Sequence, residues 1–215
     1  MATLAEKQLR RRQAVLAAAR ELLSEHGYEG VTMRRLASQC GVSTKFLYDT
    51  YQNKDDLLAK AIGERLELVY ERIETRNRDA GAAHLANLCE GIAEAMLEFP
   101  SFAHAFASTV LSEKTLVVRD AGSVAIVRRC VEDIRSAGEL VGPIDVDLVC
   151  QMIQLQITLV IWQWHLGTIS DANLSHVLKL CAGHVLKTLT TGQAQAFFLS
   201  LERDAYSEIG SRLGA

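Results

Sequence analysis

The chain has 215 residues, of which 49% are hydrophobic and 23% charged, an ordinary globular composition with enough length to bury a sizeable core. Two prolines and an abundance of Ala, Leu, Glu and Arg favour helix throughout. The net charge of −3 taken alone argues against a nucleic-acid partner, but residues 1–60 hold ten Lys/Arg against seven Asp/Glu, and residues 61–215 hold thirteen against nineteen. A basic first part on an acidic body calls for an explanation.

In chain order, Leu9, Leu16, Ala19, Leu22 and Leu23 have helical spacing and predict a helix over 5–25, with Gly27 as its C-cap. Thr32 reads as the N-cap of a short helix, "MRRLASQC", that stops at Gly41. Ser43 caps the next, "TKFLYDTY", and Asn53 a fourth. The stripe Leu58, Ile62, Leu66, Val69, Ile73 carries that fourth helix to about residue 76. Residues 77–83 read as a break before a helix over 84–98. Pro100 stops that helix and Ser101 caps one with Phe102 and Phe106. Further helices are expected over 116–137, 145–166 and 172–190, with a short one after 193. No stretch alternates as a strand, so the fold class is all-α.

Residues 32–51 are therefore two short helices around a glycine turn. Leu36, Ala37, Val42 and Leu47 face inward, and Ala37 is small enough for a close crossing. This is a helix-turn-helix pattern, whose second helix enters the DNA major groove. Thr44, Lys45 and Tyr48 share the outer side of that helix near its N-terminus, where amides favour phosphate and Lys45 can donate to a guanine edge. Asp49 would repel phosphate, unless it accepts from a cytosine amino group or pairs with Lys45.

The stretch "GYEGVTMRRLASQCGVSTKFLYDTYQNKDDLL" is similar to the DNA-binding module of the tetracycline-repressor (TetR) family, and the likeness covers about residues 8–60. The resemblance implies DNA contacts from Thr32 and Arg34 in the second helix and from Ser43, Thr44, Lys45 and Tyr48 in the third. Thr50 and Lys54 would grip the backbone. It implies a DNA-binding domain over 1–52 and a larger helical domain over 53–215 that binds a ligand and dimerises. By resemblance the protein is a repressor, released from a palindromic operator by a small apolar effector. Activation is the alternative within the same fold. Lys45, Phe46 and Thr50 depart from the residues usual there, so the likeness does not extend to the operator sequence.

Helix 145–166 carries two apolar stripes. Leu148, Met152, Leu155, Leu159, Trp162 and Leu166 form one; Val149, Ile153, Ile157, Val160 and Trp164 form another about 140° away. One stripe can meet the chain's own core and the other a second subunit, with helix 172–190 alongside. Leu155, Leu159, Trp162, Leu178 and Val185 are the candidate dimer residues. Met96, Phe99, Phe102, Phe106 and Met152, with Gln151, Gln154 and His165 nearby, are candidates for a ligand pocket between helices.

Five well-separated cysteines without a C-x-x-C pair argue against a zinc site and read as reduced thiols of a cytoplasmic protein; no metal or cofactor is expected. The longest apolar region, 152–164, reads as too short and too polar to span a bilayer, so no membrane is expected. No Gly-rich phosphate loop, G-x-S-x-G or H-E-x-x-H occurs, which argues against an enzyme. A helical protein-protein adaptor remains the rival class, and it leaves the Thr44–Lys45–Tyr48 set unexplained.

Overall fold

A computed structural model of the chain describes residues 3–76, 79–110 and 121–213. Ten helices account for nearly all of them: α1 (Leu4–Gly30), α2 (Met33–Cys40), α3 (Thr44–Thr50), α4 (Lys54–Arg76), α5 (Gly81–Glu98), α6 (Pro100–Val110), α7 (Ala121–Ser136), α8 (Val146–His165), α9 (Asp171–Lys187) and α10 (Gly192–Leu213). The protein is all-α; the single β-bridge among the described residues joins Leu140 to Thr190.

The described residues form two compact units. The first holds residues up to Leu66 together with Phe99 and α6; the second holds Glu67–Glu98 and α7 to α10. The units therefore part inside α4, not at the turn near residue 52. In the first unit α1 packs on α2 and α6, and α2 on α3. Its core includes Leu22, Leu23, Val31, Leu36, Leu47, Leu57 and Ile62. In the second, α5 packs on α7 and α9, α8 on α7 and α9, and α10 on α9 and α5. A Cβ on Gly91 of α5 would stand 2.4 Å from Ile73 of α4, so only glycine admits that crossing.

Several boundaries differ from expectation for local reasons. Gly27 takes φ +64, as a C-cap would, but the chain resumes one more turn and α1 runs on to Gly30. Pro100 does not merely end α5. It is the first residue of α6, where its missing N–H costs no helical bond, and Ser101 is inside the helix rather than its cap. α5 begins at Gly81 rather than 84, because the Gly81 amide donates to Asp133 Oδ2 at 3.2 Å and Ala82 is buried. Residues 116–120 of the helix expected over 116–137 lie outside the described residues. The last helix spans 22 residues and is not short.

Two further expectations can be compared. α8 has 20 residues, and an 18-residue stretch of it has a mean hydropathy of 1.3, so by length and composition alone it is long and apolar enough to cross a bilayer. That corrects the estimate made from 152–164. The five cysteines are unpaired; Cys89, Cys130 and Cys150 are buried, and burial pushes the Cys89 and Cys130 thiols up to about 12.

Candidate nucleic-acid interface

Side-chain caps set the geometry of α2 and α3. The extended backbone of Thr32 lets its hydroxyl accept from the Arg35 amide at 3.2 Å, which starts α2. Gly41 ends it in the left-handed region at φ +62, and the Val42 amide folds back onto the Ala37 carbonyl at 3.0 Å. Ser43 Oγ accepts from the Phe46 amide at 3.1 Å and starts α3 at once. Asn53 Oδ1 does the same for α4, from the Asp56 amide at 2.9 Å. Leu36 and Leu47 are fully buried, Ala37 nearly so, and Val42 half-buried, so the expected inward side of the motif faces the core.

This scaffold leaves a polar set outside. Thr44, Lys45 and Tyr48 are exposed on α3, Tyr48 by 58%, and Thr32, Arg34 and Ser43 are exposed before it. Among the described residues no ion pair involves Arg34 or Lys45, and Asp49 does not pair with Lys45. Thr32 and Ser43 use their oxygens as cap acceptors, which leaves each hydroxyl proton free to donate. Two other candidates are already engaged. Thr50 Oγ1 donates to the Phe46 carbonyl at 2.7 Å. It would have to leave that bond to donate to a phosphate oxygen, which only accepts. Lys54 Nζ donates to the Tyr28 carbonyl at 3.0 Å and lies 3.7 Å over the Tyr28 ring, which leaves two N–H donors free. The Tyr28 hydroxyl bonds to Asp55, and burial followed by that bond pushes its pKa up to about 12.

In the second unit, the two stripes of α8 have opposite fates. Val149, Ile153, Ile157, Val160 and Trp164 are buried where α8 meets α7 and α9. Leu148, Met152, Leu155, Leu159 and Leu166 are exposed by 44–69%, and Trp162 is half-buried. Of the candidate dimer residues, Leu155, Leu159 and Trp162 therefore lie on the uncovered side and Val185 is half-buried. Leu178 is fully buried and belongs to the unit's own core, because α9 packs its inner side on α5 and α8. Trp164 Nε1 donates to Asp171 at 2.7 Å, whereas the Trp162 ring lies 5.2 Å from that of His165.

The candidate pocket residues do not share a unit. Phe99, Phe102 and Phe106 belong to the first, and Met96, Gln151, Met152 and His165 to the second. Phe106 and Met96 are buried, Phe102 and His165 half-buried, and Gln151 and Met152 exposed. Phe99 is 41% exposed, with the Arg65 guanidinium 3.8 Å over its ring. Sequence reasoning missed one polar contact nearby. Ser123, fully buried on α7, donates to Gln154 Oε1 on α8 at 2.8 Å. Only the packing of α7 on α8 brings them together. A groove of about 290 Å³, lined by Gly81, Asp133, Glu139 and Phe197 among others, holds none of the candidate pocket residues.

Residues 15–61 match the family described as bacterial regulatory proteins, tetR family. The chain is similar, at 25% identity over 151 residues, to the HTH-type transcriptional regulator HbdR of Aromatoleum sp. (strain CIB), over 66% of this chain and 65% of that protein. It is 33% identical over 98 residues to the tetracycline repressor protein class C of Escherichia coli, over 46% of this chain and 45% of that one. The chain thus spans less than two thirds of the length of the curated relatives it matches. Among solved structures it resembles a transcriptional regulator FadR from Bacillus subtilis in complex with stearoyl-CoA (TM-score 0.64, 22% identity, 79% of this chain and 97% of that one). It also resembles Thermus thermophilus FadR in complex with lauroyl-CoA (TM-score 0.69, 16% identity, 85% and 96%). At these identities the structural likeness is one of fold.

Proposed function

We propose that this chain, a member of the tetR family of bacterial regulatory proteins, represses transcription in the cytoplasm by holding a palindromic operator as a homodimer, and that a mostly apolar small molecule releases it. The observation that carries the DNA reading is the exposed Thr44–Lys45–Tyr48 set, held rigid by the caps of α2 and α3 and unpaired with any carboxylate among the described residues. Lys45 is free to donate to a base edge or a phosphate, Tyr48 to a phosphate, and the two remaining Lys54 donors to the backbone beyond.

The homodimer follows from α8. An uncovered stripe of five large apolar side chains is the kind of patch a soluble monomer avoids. A two-fold axis through Leu155, Leu159 and Trp162, with Val185 at the side, would bury it against its own copy. Two recognition helices then face half-sites about 34–36 Å apart or a multiple of that. An effector that binds a state with another spacing better than this one shifts the population off the operator. The candidate lining in the second unit is Met96, Gln154 and His165, and the first molecules to assay are those with a long apolar chain, since acyl thioesters occupy the two FadR neighbours.

The test is an operator selected from random DNA and then titrated with protein. The wild type should bind it as a dimer, and the Lys45→Ala, Tyr48→Phe double variant should lose most of that affinity. Undiminished binding by the double variant would remove α3 from the interface.

A further inference from the structure

The first turns of α1 lie outside the core. Every residue from 5 to 14 is exposed, and the core begins abruptly at Val15 and Leu16, which are 0% and 6% exposed. Ten residues at about 1.5 Å each make an arm about 15 Å long that overhangs the first unit. Isolated helix of that length is marginal in water, and this one is secured by a capping box. Thr3 Oγ1 accepts from the Glu6 amide at 3.2 Å, and Glu6 Oε2 accepts from the Thr3 amide at 2.8 Å.

The arm is strongly basic. Lys7, Arg10, Arg11 and Arg12 are all exposed, and none takes part in an ion pair among the described residues. Arg11 and Arg12 stand one turn before Val15 and Leu16, so the side of α1 that is apolar over the core continues as guanidinium beyond it. The base of the arm lies beside the helix-turn-helix. Cys40 Sγ, at the end of α2, is 3.9 Å from the Ala14 carbonyl. Tyr51, which closes α3, is close enough to Arg12 for its charge to oppose the upward pull of burial on the phenol.

We propose that this arm is a second DNA contact, separate from α2 and α3, in which Arg10, Arg11 and Arg12 lie along the phosphates flanking each half-site. The inference rests on the DNA-binding reading of α3. The choice of DNA as occupant follows from charge and place: four uncompensated cations overhang the very module that presents Lys45 and Tyr48. A phosphate contact of this kind adds affinity without sequence preference and makes binding more sensitive to salt.

The test compares R10Q/R11Q/R12Q and R10K/R11K/R12K with the wild-type full chain. Each binds the selected operator and a random-sequence 40-base-pair duplex over a salt series. Glutamine keeps helix propensity and removes charge, and no substituted side chain is buried, so circular dichroism should not change. If two arginines per protomer reach phosphates, the slope of log affinity against log salt falls in magnitude by about 3.6 for a dimer, at about 0.9 per contact. Both duplexes should weaken alike, the ratio between them should hold, and the lysine variant should keep the wild-type slope. An unchanged slope in the glutamine variant overturns the proposal, as does an equal loss in the lysine variant. A changed sedimentation coefficient with an unchanged slope would assign the arm to the partner subunit and overturn it too. Failure of the wild type to bind either duplex at low salt would instead overturn the DNA reading beneath it.

Discussion

α3 and α8 both turn one full side to solvent, and the two sides ask for different partners. On α3 the exposed residues are Thr44, Lys45, Tyr48 and Asp49, which water solvates at no cost. On α8 and its C-cap they include Leu148, Met152, Leu155, Leu159 and Leu166, which water solvates poorly, beside the polar Asp147, Gln151 and Gln156. At about 25 cal/mol per Å², covering such a stripe is a driving force for association in itself, whereas a polar face gains affinity only from a partner of matching charge and shape. The chemistry each side exposes decides whether a protein copy or a polyanion would fit it.

The sharpest way to break the comparison is on α8 itself. Val160→Glu places a carboxylate in the buried stripe, where the residue is 4% exposed, and should unfold the second unit or cost more than about 4 kcal/mol in chemical denaturation. Leu155→Glu, on the stripe where exposure reaches 69%, should leave the fold intact. It should instead yield a monomer in sedimentation velocity at micromolar concentration, with operator affinity greatly reduced. If Leu155→Glu remains a dimer, the exposed stripe is not the subunit interface.

On α3 the expected effects are smaller. Lys45→Ala should cost about 1–3 kcal/mol if the contact is to a base, and preference should relax at that one position of the operator. Lys54→Ala should weaken all sequences alike, and its effect should be read together with thermal stability, because the ammonium also ties α4 to the Tyr28 carbonyl. Equal losses on operator and random DNA for Lys45→Ala would move that residue from the base edges to the backbone. The smallest effect is expected at a cap. Asn53→Ala removes the acceptor for the Asp56 amide and should lower stability by about 1 kcal/mol, seen as a lower unfolding midpoint. Salt dependence of DNA binding should stay unchanged in that variant, which separates positioning from contact.

Local chemistry made the first unit legible. Thr32, Gly41, Ser43 and Asn53 act within four residues of themselves, so their roles as caps and turn could be read from the chain and are what the structure contains. The same holds for the two stripes of α8, since a 100° rotation per residue is a property of the helix alone. The fate of each stripe could not be read, because it depends on which side α7 and α9 occupy. Nor could the place of Leu178, the Ser123–Gln154 bond, or the membership of α6 in the first unit, all of which join residues far apart in the chain. The engagement of Thr50 and Lys54 within the fold belongs here as well, although Thr50 bonds only four residues back. Helical identity, capping and amphipathic pattern are set by neighbours along the sequence. Burial, and with it the choice between core and interface, is set by neighbours in space.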